Sequence, residues 1–241
     1  PLKNKPGSAC YRRLAMLFLA LSPCSPLHAI PIRVLAWDDE IAAMKLAIGD
    51  SKGSVPIEAM HPSRRTKAYQ VIPGEKPLVI ESLDRRGPDG KPCTSEIKIA
   101  DGVKQPLLVI LPDAKATTGV RLFVLEDDAS NFAWGSFRFI NATGRKLVYV
   151  CEKKIVAIPP SWNPVQAEPG GEARNMEVKF YFQEDSSHPF SSSIWEHDPD
   201  ERMLVFLVPG DDPRLGPVAM KMIPENRKLV AAAADVAAGT H

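Results

Sequence analysis

No charge of one sign dominates this chain: 30 Lys and Arg stand against 29 Asp and Glu, a formal net charge of +1. Without a clustered basic surface there is little to neutralise a phosphate backbone, which argues against nucleic acid as a partner. Aromatic residues make up only 7%, and there are four cysteines. The apolar run Leu14 to Leu21 falls well short of the roughly twenty residues that span a bilayer, so no retained membrane span is expected. No serine sits in a glycine-flanked elbow of the kind that presents a hydrolase nucleophile. No two histidines have the short spacing of helical or hairpin zinc sites.

The first residues have the order of a signal peptide. Lys3, Lys5, Arg12 and Arg13 lead into Leu14 to Leu21 and then into Ser22-Pro23-Cys24-Ser25-Pro26, with a cleavage point after Ala29 in Leu27-His28-Ala29. A buried helix is the plainer alternative. Lipid attachment at Cys24 is disfavoured by Pro23 immediately before it. Export to the periplasm or beyond is the expectation. Residues 1–29 hold four basic and no acidic side chains, so their removal takes the net charge from +1 to −3. Only Cys93 and Cys151 then remain. In an oxidising compartment they can pair as a disulfide; the alternative is a small buried apolar Cys151 and an unpaired Cys93.

With 23 prolines, long helices are improbable, and short apolar or alternating runs between Pro, Gly, Asn and Asp read as strands. The clearest are Ile32 to Trp37, Leu78 to Ser82, Leu107 to Leu111, Arg121 to Leu125, Ser136 to Asn141, Lys146 to Cys151, Glu177 to Phe182, Met203 to Val208 and Val218 to Ile223. Ile41 to Ile48 fits a strand or a short helix, and alignment with Lys146 to Cys151 favours a strand.

Several of these runs recur. Leu107 to Leu111 with Pro112 and Gly119 matches Leu204 to Val208 with Pro209 and Gly216, both at an offset of 97. Ile32-Arg33-Val34-Leu35 matches Phe137-Arg138-Phe139-Ile140 at offset 105, and Pro73-Gly74 matches Pro169-Gly170 at offset 96. Ordered matches at a near-constant period indicate tandem copies of one fold. The falling offset requires a longer loop in the first copy, at 49–54 or 61–67. The expectation is an all-β protein of two tandem immunoglobulin-like β-sandwich units packed together, 30–130 and 131–226. They follow a signal peptide at 1–29 and precede an alanine-rich tail at 227–241, a frayed helix or disordered.

From Asn131 to Asn141, the segment Asn-Phe-Ala-Trp-Gly-Ser-Phe-Arg-Phe-Ile-Asn resembles exported bacterial β-sandwich proteins of unknown function with duplicated immunoglobulin-like units. In those, such a strand opens a unit, a Pro-Gly turn lies in its middle and a Leu-Val-rich strand closes it. The resemblance implies a fold and no reaction. The first copy departs from it, with Ala36-Trp37 where the second has Asn141-Ala142.

Candidate chemistry is thin. His188 and His197 flank a strand and could meet with Glu196 or Asp198, although loop histidines are the plainer reading. Ser191-Ser192-Ser193 near His188 reads as a polar turn. The acidic groups Asp38-Asp39-Glu40, Glu126-Asp127-Asp128, Asp198 with Asp200 and Glu201, and Asp211-Asp212 lack the alternating ligand spacing of a calcium loop. Asn141-Ala142-Thr143 is a sequon at a strand end, where a turn role is expected. Trp37, Trp134 and Trp195 lie in apolar patterns that suit core packing. Trp162, between Pro160-Ser161 and Asn163-Pro164, is the tryptophan expected at the surface, and Trp162 with Asn163 is the candidate ligand contact.

These features point to a non-catalytic interaction or structural module of the bacterial cell envelope, with no cofactor or metal, whose partner is an envelope protein or a glycan. A carbohydrate-binding module is the alternative, and a metal-dependent hydrolase is more distant.

Overall fold

The computed structural model describes residues 29–212 and 214–238, and the expected signal segment therefore lies outside the described residues apart from Ala29. The first eight strands are β1 (Ile30–Ala36), β2 (Leu46–Gly49), β3 (Ser54–Pro56), β4 (Tyr69–Val71), β5 (Val79–Arg86), β6 (Pro92–Glu96), β7 (Pro106–Pro112) and β8 (Val120–Glu126). The next eight are β9 (Phe137–Asn141), β10 (Leu147–Cys151), β11 (Lys154–Ile158), β12 (Ser161–Ala167), β13 (Arg174–Phe182), β14 (Ser191–His197), β15 (Glu201–Pro209) and β16 (Val218–Asn226). A one-turn helix, α1 (Asp39–Ala42), follows β1, and α2 (Arg227–Ala238) follows β16. No helix among the described residues is long and apolar enough to cross a membrane.

The fold is all-β, in four sheets of four strands: β4-β1-β7-β8 and β3-β2-β5-β6 in the first half, β12-β9-β15-β16 and β11-β10-β13-β14 in the second. The second pair of orders is the first with every strand number raised by eight. The pairings β1 with β7 and β9 with β15 are parallel, and the other named pairings are antiparallel.

Side-chain alternation along the central strands assigns each residue to one of three cores. On β1, Ile32, Val34 and Ala36 pack with Leu46, Ile48 and Ile80 inside the first half, while Leu35 faces the other way. On β9, Phe137 and Phe139 pack with Tyr149, Phe180 and Trp195 inside the second half, while Ile140 faces outward from it. The outward sets meet: Leu35, Leu107, Val109, Leu111 and Leu125 from the first half pack with Ile140, Leu204, Phe206 and Ile223 from the second. The β4-β1-β7-β8 and β12-β9-β15-β16 sheets are thus covered on both faces. Strands buried on both faces read as unbroken apolar runs, which is why Leu107–Leu111 and Leu204–Val208 stand out in the sequence.

The short link between the halves, 127–136 between β8 and β9, contributes to this third core. Phe132 is fully buried, with the Arg138 guanidinium 4.2 Å and the Arg202 guanidinium 4.9 Å from its ring centroid. Arg202 also donates to the Phe132 carbonyl at 2.9 Å, and Arg138 to the Asn131 carbonyl at 2.6 Å.

Three local alternatives left open by the sequence are decided by the structure. Ile41 to Ile48 is not one strand: Asp38 caps α1 by accepting the Ile41 N–H at 2.8 Å, and only Leu46–Gly49 joins a sheet. An Asp immediately before an acidic first turn is a helix start that outweighs the weak strand pattern. The longer connection of the first half runs over 57–68 and contains the expected 61–67, whereas β11 and β12 are separated by two prolines. Along it Ile57 and Met60 are buried, and the Thr66 hydroxyl accepts the Val34 N–H at 3.0 Å. Cys93 and Cys151 are both buried and free, on β6 and β10 in the outer sheets of different halves, so the disulfide weighed from the sequence is not formed.

The matched glycines Gly119 and Gly216 have φ of 80° and 104°, in the turns before β8 and β16. A side chain in this region carries a steric cost of roughly 1–2 kcal/mol. Gly119→Ala and Gly216→Ala should each lower stability by about that amount, measured by denaturant unfolding. Unchanged midpoints in both variants would show that these turns relax freely.

Candidate functional site

Among the apolar residues where the halves meet lies a charged cluster. Arg33 of β1 donates to both Asp127 and Glu225, the second of these on β16 of the other half. Arg65, delivered by the 57–68 connection, donates to Asp127 through Nε at 2.8 Å and Nη2 at 3.1 Å. Arg202 of β15 donates to Glu225 through Nε at 2.8 Å. Three guanidiniums therefore share two carboxylates, with the Arg65, Asp127 and Arg202 side chains all at most 3% exposed.

Burial alone would raise the Asp127 carboxyl, but Arg65, Arg33 and Arg202 together hold it below its ordinary value. Burial likewise works against the charge on Arg65, yet Asp127 and Glu225 outweigh it and raise the group. Removing such charges from water is expensive, and only dense mutual pairing offsets it.

Beside this cluster, between the edge strands β8 and β12, a cleft of about 420 Å³ opens. Its walls are Phe123 to Glu126 of β8, Trp162, Asn163, Pro164 and Gln166 of β12, Arg138 of β9, and Asn131 of the link. A local irregularity shapes it. Ser161 pairs with Asn141 and Val165 with Phe139, so four steps along β12 oppose two along β9. Such a bulge bends an edge strand and re-aims its side chains, and Pro164, which has no N–H to donate, sits within it. Trp162 is consequently half-buried, with Phe123 edge-on at 4.8 Å and the Arg121 guanidinium 5.6 Å from the ring centroid. A smaller hollow of about 110 Å³, lined by Leu111, Arg121, Leu122, Phe123 and Trp162, continues along the same wall.

Arg138 is only 6% exposed. It donates to the Glu126 carbonyl, the Asn131 carbonyl and the Gln166 amide oxygen at 3.2 Å, while its buried Nε has no hydrogen-bond partner among the described residues. Burial lowers the group to about 10, against the pull of Asp127 and reinforced by the nearby Arg202 and Arg65 charges. The cleft's one carboxylate, Glu126, is occupied by backbone N–H groups: Lys104 at 2.7 Å, Gln105 at 3.1 Å and Asp128 at 2.9 Å.

Of the side chains singled out from the sequence, Trp162 and Asn163 are brought together in this cleft. His188 and His197 are not brought together. His188 is exposed with Asp185 3.7 Å away, whereas His197 is buried beside the Gly171 carbonyl and registers with Arg174 at the opposite end of β14. Ser191, Ser192 and Ser193 are ladder residues paired with Phe180, Lys179 and Val178. The acidic groups are largely engaged locally: Asp38 caps α1, Asp128 accepts the Ser130 N–H, Asp200 pairs with Arg227 and Lys228, and Asp212 with Arg214. Among the described residues no group of three or more His, Cys, Asp or Glu side chains is arranged to hold a metal ion. Asn141 is buried and donates to the Arg145 and Ile158 carbonyls at 2.8 and 3.0 Å, the turn role expected of it.

Sequence reasoning passed over Arg138, Gln166 and Asn131. For Arg138 a signal existed, since Arg33 and Arg138 interrupt matching apolar strands at the same place, and a charge kept inside such a run marks a paired or functional position. Gln166 and Asn131 carry no comparable signal. No protein-family model and no curated protein matches the sequence.

Asp127→Asn would leave three guanidiniums, those of Arg65 and Arg202 almost fully buried, to Glu225 alone. It should cost about 3–5 kcal/mol in denaturant unfolding. Because the folded carboxyl lies below its ordinary 3.8, its stabilisation is complete above that pH and is lost as pH falls through the folded value. Stability measured from pH 6 downward should therefore fall more steeply in the wild type than in the variant. Equal slopes would remove Asp127 from the account.

Proposed function

We propose that the protein is an exported, non-catalytic saccharide-binding module of the bacterial cell envelope, in which two duplicated immunoglobulin-like units form a binding cleft along their seam. The observation that carries this reading is the setting of Trp162. A half-buried indole borders a cleft whose other polar walls are the amides of Asn131, Asn163 and Gln166, the guanidinium of Arg138 and Glu126. A sugar ring has apolar C–H faces that stack on indole, and hydroxyls that need donors and acceptors in fixed places; an aromatic wall with a few convergent amides suits both. The volume lies within the roughly 300–1,000 Å³ usual for small-molecule sites.

The same lining supports binding rather than hydrolysis. Glycoside hydrolysis uses two carboxyl groups flanking the scissile bond, and Glu126 is the one carboxylate on these walls, already accepting three backbone N–H bonds. Signal-type residues at the start of the sequence support export, and the repeated strand orders support duplication. An envelope protein as partner is the second reading. It is favoured by Ile155 on β11 and Ile194 on β14, which stand 73% and 64% exposed on the two edges of one outer sheet.

A glycan array probed with wild-type protein and Trp162→Ala tests the first reading. At least one glycan class should bind, and the substitution should weaken it at least about tenfold, or 1.4 kcal/mol, in a variant that still unfolds cooperatively well above the assay temperature. Binding that ignores the substitution, or no glycan bound at all, would overturn it.

A further inference from the structure

We infer that the saccharide taken by this cleft is acidic, its anionic substituent lying toward the arginines that flank Trp162. This rests on the reading of the cleft as a saccharide site and adds the charge of its ligand. The argument is one of charge count and position. Arg33 and Arg138 occupy matching places on the matching strands β1 and β9, at an offset of 105. Arg33 is bonded to two carboxylates, Asp127 and Glu225, and those same two are also shared by Arg65 and Arg202. Arg138 is bonded to neutral acceptors alone: two carbonyls and an amide oxygen.

A guanidinium taken out of water without a carboxylate partner is the least compensated kind of buried charge. Arg138 feels Asp127 and Glu126 but is hydrogen-bonded to neither carboxylate; its Nε is orphaned, and it forms part of the cleft wall. Exposed Arg121, which lines the adjoining hollow, lies over the Trp162 indole and makes no ion pair among the described residues. Glu126, the wall's own carboxylate, is turned to the backbone N–H groups of Lys104, Gln105 and Asp128. The cleft wall therefore carries Arg138, with Arg121 in the adjoining hollow that shares Phe123 and Trp162, while the oxygens of Glu126, its one carboxylate among the described residues, already accept three N–H bonds. A carboxylate or sulfate on the sugar supplies the missing partner through charge-assisted hydrogen bonds or close Coulombic contact.

Titration calorimetry on the whole protein tests this with three probes: a hexuronate oligosaccharide, the same oligosaccharide with its carboxyl groups reduced to alcohols, and a sulfated oligosaccharide of neutral sugars. At least one acidic probe should bind at least about tenfold more tightly than the reduced one, and the advantage should shrink as salt is raised. Which acidic probe wins identifies the carboxylate or the sulfate as the group recognised. Arg121→Gln, at an exposed position, should reduce the advantage without changing the fold. Arg138 also fastens the link, so the comparison of acidic and reduced probes on wild-type protein carries the test without a variant there. Equal affinity for acidic and reduced probes, with binding still lost in Trp162→Ala, would overturn the charge inference and leave the saccharide reading standing. Failure of all three probes, together with a blank array, would overturn both.

Discussion

Burial of the central strands on both faces is the constraint from which the rest of this structure follows. Each parallel pair, β1 with β7 and β9 with β15, has one face in the core of its own half and the other against the opposite half. Residues of both parities along these strands must then be apolar or held by hydrogen bonds, because neither face lies open to water along its length. Most are Leu, Ile, Val and Phe. The few charged residues on the shared faces, Arg33, Arg138 and Arg202, are each tied by several hydrogen bonds.

That rule accounts for the form of the charged cluster. Apolar packing between two sheets tolerates sliding and rotation, since any well-filled arrangement recovers much of the same area. Charges do not tolerate it. Arg33 and Arg65 from the first half and Arg202 from the second must all reach Asp127 and Glu225, and only one alignment of the halves permits this. The cluster gives registration; the apolar core of Leu35, Leu107, Phe206 and their neighbours gives most of the cohesion.

The sequence made the doubly covered strands legible and left their neighbours obscure, for the same physical reason. Leu107–Leu111 and Leu204–Val208 are visible because burial on two faces suppresses alternation. Edge strands such as β3, exposed along its length, and β12, with a proline and a bulge, present no pattern strong enough to declare a strand. Trp162, expected at the surface, is a half-buried strand residue. The run Glu126-Asp127-Asp128 shows the limit most clearly. Nothing in the sequence separates these three adjacent acids, yet one lines the cleft, the next is buried among three arginines and the third accepts the N–H of Ser130. Composition could not separate them, because their fates depend on strands distant in the chain.

The cleft takes β8 from one half and β12 from the other, with Arg138 reaching from its wall to the segment that joins them. Any molecule held there touches both halves at once. By mass action its binding free energy is added to whatever already resists their separation, so an occupied protein is more firmly closed than an empty one. Neither half possesses such a cleft alone: it exists only where the two halves meet, and an occupant would become part of the join.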